Sequence, residues 1–222
     1  MNNKPKQIEY YHSLLEKHGD HYLSLDWKNP ESQGIRFKVF EDLLTIGNKS
    51  PHQKFWCGDE RNDFSILDVG CGFGDFYGYL KKAGYKFQYA GYDIAPKIIE
   101  SARKKYPEAR FEVRDILDDK KPEKFDFVFC CGALNISFDN REAHLDFIRS
   151  MLLRMFELCN IGVGVNFLSS QAIYHLPDDS FREPQYFYSK PEEIIGFVKG
   201  ITNRFLLRHD YHPADFTVYL LK

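Results

Sequence analysis

The chain has 222 residues, 43% hydrophobic and 28% charged, with a formal net charge of −2 and a sequence pI of about 6.4. That length supplies a sizeable core and fits one domain, and the near-balanced charge argues against a strongly electrostatic nucleic-acid binder. No apolar run approaches the ~18 residues of a membrane helix, the start Met1-Asn2-Asn3-Lys4-Pro5-Lys6 lacks a signal-peptide core, and five cysteines without CxxC spacing read as reduced thiols of a cytoplasmic protein, not as a zinc site.

Residues 6–18 read as a helix with Ile8, Tyr11, Leu14 and Leu15 near one face, stopped by Gly19. The loop 20–32 carries Tyr22, Leu25 and Trp27, apolar side chains that fold back on a core or cover a pocket. A helix over 33–45 follows, then a turn-rich connection over 47–63. From residue 65 onward strands and helices alternate. Strands are predicted at 65–69, 87–92, 110–114, 125–131 and 161–168, with helices at 75–83, from Pro96, and at 141–159. The period breaks at 169–188, an irregular insert with the aromatic run Tyr186-Phe187-Tyr188. Ser189-Lys190-Pro191-Glu192 reads as a capping box opening a further helix. Two last strands, 204–210 and 216–221, are joined by a link short enough for an antiparallel pair. The expectation is an α/β fold: a doubly wound sheet of five parallel strands closed by a C-terminal antiparallel hairpin, with a helical N-terminal extension.

The stretch Ile66-Leu67-Asp68-Val69-Gly70-Cys71-Gly72-Phe73-Gly74-Asp75 joins strand to helix through three alternate glycines. Such a turn lets backbone approach a nucleotide-like ligand. A dinucleotide fingerprint would require glycine where Asp75 stands, and no Gly-Lys-Ser/Thr follows to make a phosphate-binding loop for ATP or GTP. Two acids occupy the ends of the next strands: Asp93, placed to accept from ribose hydroxyls, and Asp115.

The run from Ile66 to Gly74 resembles the first motif of class I S-adenosylmethionine-dependent methyltransferases, in which two apolar residues, an acid and another apolar residue precede Gly-Cys/Ser-Gly-x-Gly. The resemblance spans about residues 65–168 and includes the terminal hairpin. Leu25-Asp26-Trp27, Ser32-Gln33 and Arg36-Phe37 are similar to the N-terminal pattern of small stand-alone bacterial members. It implies a Rossmann-like, seven-stranded, mostly parallel sheet, S-adenosylmethionine as cofactor and methyl transfer as activity. It also implies a division into a helical cap (1–50), a cofactor-binding core (65–168), a substrate loop (169–188) and a final helix with hairpin (189–222). The implied cofactor residues are Asp68, Gly70, Cys71, Gly72, Gly74, Asp75, Asp93 (ribose), Ile94 (adenine face), Asp115 (adenine amino group), Ile116 and Gly132, with Trp27, Gln33 and Arg36 folding over from the cap.

Methyl transfer from a sulfonium is an in-line displacement that asks the protein chiefly to align the acceptor and exclude water. A general base is required only where the acceptor must lose a proton. The acceptor site is expected around Tyr22, Asn135, Asn166, Tyr186 and Tyr188, with His209 or Tyr211 as the base if there is one. After strand 4 the chain reads Cys131-Gly132-Ala133-Leu134-Asn135, not the Asn/Asp-Pro-Pro-Tyr/Phe of enzymes that methylate nucleobase amino groups. A small-molecule oxygen or nitrogen acceptor is therefore expected, with no metal and no membrane partner. RNA or protein acceptors, a catalytically silent cofactor-binding subunit, and an NAD-dependent reductase stay as alternatives.

Overall fold

The computed structural model describes residues 4–47, 62–120, 122–138, 140–175 and 185–222. The strands are β1 (Asn62–Val69), β2 (Lys86–Asp93), β3 (Arg110–Val113), β4 (Phe125–Cys130), β5 (Cys159–Leu168), β6 (Phe205–Arg208) and β7 (Asp215–Leu221). The helices are α1 (Lys4–His18), α2 (Pro30–Gly47), α3 (Asp75–Lys82), α4 (Pro96–Lys105), α5 (Arg141–Leu158), the short α6 (Ala172–His175) and α7 (Pro191–Lys199), with a 3-10 turn at Tyr22–Leu25.

The strands form one seven-stranded sheet in the order β3-β2-β1-β4-β5-β7-β6. The first five are parallel, and β7 runs antiparallel to both β5 and β6. The chain order reverses direction between β1 and β4, so the carboxyl ends of these two strands flank the crevice where doubly wound folds hold ligands.

Alternation along the strands separates two cores. In β4, Val128 and Cys130 face a cluster with Ile148, Leu152 and Met155 of α5 and with Ile194 and Val198 of α7. Phe127 and Phe129 face the opposite cluster, with Phe40 and Leu43 of α2, Phe76 and Leu80 of α3, and Ile99 of α4. This period of two on a strand buried on both sides explains its unbroken apolar run.

Several boundaries differ from the sequence expectation for local reasons. Helix α2 starts at Pro30, not 33, because the Asn29 side chain accepts the Ser32 N–H at 2.8 Å and proline suits the first turn. The expected capping box at Ser189 is not formed. Ser189 N–H donates to the Leu168 carbonyl and its own carbonyl accepts from Ser170 N–H, so the residue is committed to extended pairing and Lys190 becomes the N-cap. Strand β6 ends at Arg208, whose guanidinium binds Asp210 and Asp42. Most of the connection expected at 47–63 lies outside the described residues, as do Cys57, Asp139 and 176–184 of the insert.

Candidate active site

The glycine turn hangs on β2. The Gly70 and Cys71 N–H groups both donate to the Tyr92 carbonyl, at 2.7 and 3.1 Å. Gly70 has φ +71°, and a Cβ there would lie 2.3 Å from the Cβ of Ala133. Gly72, φ +55°, would bring a Cβ to 2.7 Å from Leu25. Both positions combine a left-handed backbone with a close neighbour, so glycine is required twice over. Leu25 belongs to the 3-10 turn, and this contact seats the N-terminal segment directly on the motif.

Asp93, at the end of β2, braces the same turn. Its Oδ2 accepts the Gly72 N–H at 3.2 Å and its Oδ1 the Ala95 N–H at 2.9 Å. Burial raises its pKa, opposed by these backbone bonds. Asp68 is 3% exposed and accepts the Tyr89 hydroxyl at 2.7 Å. Burial pushes its pKa up to about 7, against the pull of the Tyr89 bond. Asp75 receives Gln33 Nε2 at 3.2 Å and Lys105 at 2.5 Å. Asp115 accepts the Leu117 N–H at 2.8 Å through Oδ1 and pairs through Oδ2 with Lys4.

These groups open onto one cavity of about 450 Å³, within the range of small-molecule sites. It runs from Asp115 and Ile116 after β3, past Asp93 and Ile94, Asp68 and Gly70–Gly72, and Gly132–Ile136 after β4. It ends at Leu168, Tyr186, Tyr188, His212 and Ala214. Lys4, Gln7 and Tyr11 of α1 cover it together with Leu25, Asp26 and Trp27. A Cβ on Gly132 would lie 3.4 Å from the Trp27 ring, and Arg36 stacks 4.9 Å from that ring's centroid. Arg36 donates from Nη1 to the Ser32 carbonyl at 2.7 Å and pairs through Nη2 with the fully buried Asp215.

Two features hold the cover down. Asp26, with φ +63° in the left-handed region, accepts the Tyr10 hydroxyl at 2.6 Å and the Tyr186 hydroxyl at 2.5 Å on the same oxygen. The segment carrying Tyr186 is itself paired to the loop after β4. Ser137 N–H donates to Gln185 O and Phe187 N–H to Asn135 O, each at 2.7 Å. The Asn135 side chain meanwhile accepts the Leu168 N–H at 3.1 Å.

Among the expected cofactor residues, all but Gly74 line the cavity; Gly74 is the left-handed N-cap of α3. Among the expected acceptor residues, Asn135, Tyr186 and Tyr188 line it. Tyr22 does not, and Asn166 is buried behind it, donating to the Tyr211 hydroxyl at 3.0 Å. Neither suggested base reaches the cavity. His209 lies against the Phe216 ring, 5.8 Å between centroids, and the Tyr211 hydroxyl is taken by Asn166 and Thr217. His212, one residue further, does line it.

Sequence reasoning missed Lys4, Gln7, Tyr11 and Asp26 as cavity residues; it places His144, His175, His209 and His212 near pocket elements, and of these His212 lines the cavity. Lys4, Gln7 and Tyr11 share one helical face, at spacings of three and four, which was the available signal. Cys71 and Cys130 are buried thiols with raised pKa, not nucleophiles. Among the described residues no group of three or more potential ligands could hold a metal ion. No described helix is long and apolar enough to cross a membrane.

Residues 66–154 match a family described as a methyltransferase domain. A Mycobacterium tuberculosis protein named "Putative methyltransferase" is 27% identical over 168 residues, covering 72% of this chain and 93% of that one. In structure, the chain is similar to magnesium protoporphyrin IX methyltransferase from Synechocystis with bound SAH: TM-score 0.66, 17% identity, all of both chains covered. It is also similar to the plantazolicin methyltransferase BamL in complex with a triazolic desmethylPZN analog and SAH: TM-score 0.65, 16% identity, 97% and 94% covered. The domain match over residues 66–154, the sheet order and the glycine turn together give the chain a methyltransferase domain on a Rossmann-like fold. The cavity would suit S-adenosylmethionine, offering side-chain-free backbone at the turn and acids at the ends of β1, β2 and β3.

Proposed function

We propose that the protein transfers a methyl group from S-adenosylmethionine to an oxygen or nitrogen of a small molecule, with the whole chain 1–222 acting as one unit. The observation that carries this reading is the cover. Cofactor-side and acceptor-side residues line a single cavity beneath the N-terminal segment, so an acceptor has to fit inside it. The neighbours named for a porphyrin and for plantazolicin point the same way. The near-balanced charge favours a small acceptor over nucleic acid, and the free thiols at Cys71, Cys130, Cys131 and Cys159 favour the cytoplasm.

In this reading the cofactor supplies an already activated methyl group, and the chain supplies alignment and dryness. Asp93 accepts from the ribose hydroxyls with the lone pairs its backbone bonds leave over. Ile94 packs on the adenine and Asp115 accepts from its amino group, with Ile116 offering backbone. Asp68 and Asp75 face the ammonium. Gln33, whose amide rests on Asp75, or Arg36, already engaged by Ser32 and Asp215, would face the carboxylate, both lining the cavity. Gly132 gives the reacting centre close approach beneath Trp27. Asn135, Tyr186 and Tyr188 bound the acceptor, and the cover removes the water that would weaken these polar contacts.

The test is turnover with methyl-labelled S-adenosylmethionine against fractionated cell extract. Label in a small-molecule fraction is expected. Label confined to RNA or protein would overturn the acceptor class, and cofactor binding without any label would identify a silent subunit.

A further inference from the structure

The sheet order sorts the cavity into two ends. Asp93 and Asp115 follow β2 and β3 on one side of β1, and Gly132 follows β4 on the other. Beyond β4 come β5 and β7, so Leu168, His212 and Ala214 form the end farthest from the ribose- and adenine-side acids. His212 is the ionisable imidazole at that end. Its side chain is 26% exposed, and Nδ1 lies 2.9 Å from Oδ2 of Asp215, which has no exposure at all.

The loop holding it is pinned from several directions. Ser169 N–H donates to the Ala214 carbonyl at 2.8 Å. The Tyr211 hydroxyl is fixed between Thr217 and Asn166, at 2.8 and 3.0 Å. Arg36, from α2, shares Oδ2 of Asp215 with the imidazole. The charged and titratable groups around His212 are thus Asp215 on β7, Arg36 behind it, Tyr211 on its own loop, and Tyr186 and Tyr188 at the same end of the cavity. Nδ1 approaches Asp215 Oδ2 without the alignment of a hydrogen bond and is also reached by the Ala214 N–H at 3.1 Å, so Nε2 is the nitrogen left for a ligand.

We propose that His212, oriented by Asp215, is the catalytic base of methyl transfer, and that the acceptor atom is one that carries a proton when it binds, a hydroxyl oxygen or an amine nitrogen. This rests on the small-molecule reading above. As the acceptor's lone pair forms its bond to the methyl carbon, the carbon–sulfur bond breaks and its electrons stay on sulfur. The acceptor's proton passes to Nε2, and the imidazolium so formed donates from Nδ1 to Asp215. A neutral base in this role carries its proton on Nδ1. The competing tautomer uses Nδ1 to accept the Ala214 N–H, 3.1 Å away, and puts the proton on Nε2, where it cannot act as base.

Nitrogen-15 spectra of the histidine rings in the SAH complex, assigned with H212Q, read the tautomer without an acceptor. A bare Nε2 is expected, and an Nε2–H tautomer overturns the proposal. In parallel, H212Q should bind SAH within about threefold of wild type by calorimetry. Its transfer to the labelled small-molecule fraction should fall by about 10²-fold or more, with the acid limb of the rate profile lost. Wild-type turnover by H212Q overturns the proposal. A wild-type protein that binds SAH but labels no small molecule overturns the acceptor reading alone, because the tautomer still decides the state of His212.

Discussion

Removing the Asp93 carboxylate should damage two things that can be measured separately. In the free protein the carboxylate serves the backbone, accepting Gly72 N–H at 3.2 Å and Ala95 N–H at 2.9 Å. Asp93→Ala leaves both donors without that partner. At about 1–2 kcal/mol each, the loss is about 2–4 kcal/mol, which lowers Tm by roughly 6–12 °C in a chain of this size. In the proposed complex the same carboxylate would accept from two ribose hydroxyls, each bond to a charged group being worth about 1.5–3 kcal/mol. Binding should therefore weaken by about 10²–10⁴-fold beyond any effect on folding. Asp93→Asn separates the terms, because it keeps the shape and one acceptor but offers the diol an amide. Calorimetry with SAH, run well below the lowest Tm, gives the binding loss, and thermal melts without ligand give the folding loss. If both variants melt early yet bind SAH within about threefold of wild type, Asp93 is a brace for the turn and the ribose assignment fails.

Asp68, with its pKa pushed up to about 7 by burial, should lose its proton when a positively charged cofactor arrives. At pH 6.5 about three-quarters of a proton should be released per site, read by calorimetry in buffers of different ionisation enthalpy and abolished in D68N. His144 is fully buried, stacks on Phe187 and holds the Leu134 carbonyl at 3.0 Å; burial lowers its pKa to about 4. The folded state excludes that proton, so this site's stability contribution is complete above pH 6.5 and falls by about 3 kcal/mol as pH drops through 4. Asp68 acts oppositely, since its folded form holds a proton that the unfolded chain has released, and its contribution falls as pH rises from about 4 to 7. Urea midpoints across pH 4–7 should therefore change less in wild type than in D68N, which loses stability on acidification, or in H144Q, which gains; parallel profiles would refute both assignments. Tyr186→Phe removes one of the two phenols on Asp26 and should raise the SAH dissociation rate about tenfold, whereas an unchanged rate would mean that this contact does not hold the cover.

The cofactor side of the parallel sheet was legible because three of its five strands end on a chemical signal. Asp68 and Gly70, Asp93 and Asp115 mark where β1, β2 and β3 stop, and all four reach the cavity. The cover was only half legible. Leu25, Trp27 and Arg36 stood out by type, but Lys4 and Gln7 look like any solvated helix face, and Tyr11 like part of an apolar stripe, until tertiary packing turns them to the cavity. Asp26 gained its role from a left-handed backbone and from a tyrosine 160 positions away, which no local pattern encodes. The sequence puts His209 and Tyr211 at the end of a strand expected to run to residue 210, and neither lines the cavity. Strand β6 stops at Arg208, the phase is lost in the loop, and His212 emerges on the ligand side. At Ser189 a correct local pattern lost to long-range pairing with β5.

The oxygen that Asp26 offers to both Tyr10 and Tyr186 also bears on where the functional unit ends. A fragment trimmed to the recognisable domain, residues 66–154, would keep the second half of β1, all of β2 to β4 and every glycine of the turn. It would lack both tyrosines and the aspartate, and with them the lateral wall and the cover. Chimeras that exchange this domain between relatives should inherit cofactor recognition from the donor of the centre. Their acceptor preference should follow the donor of the two flanks, and only when both flanks come from the same parent, because a single carboxylate stitches them together.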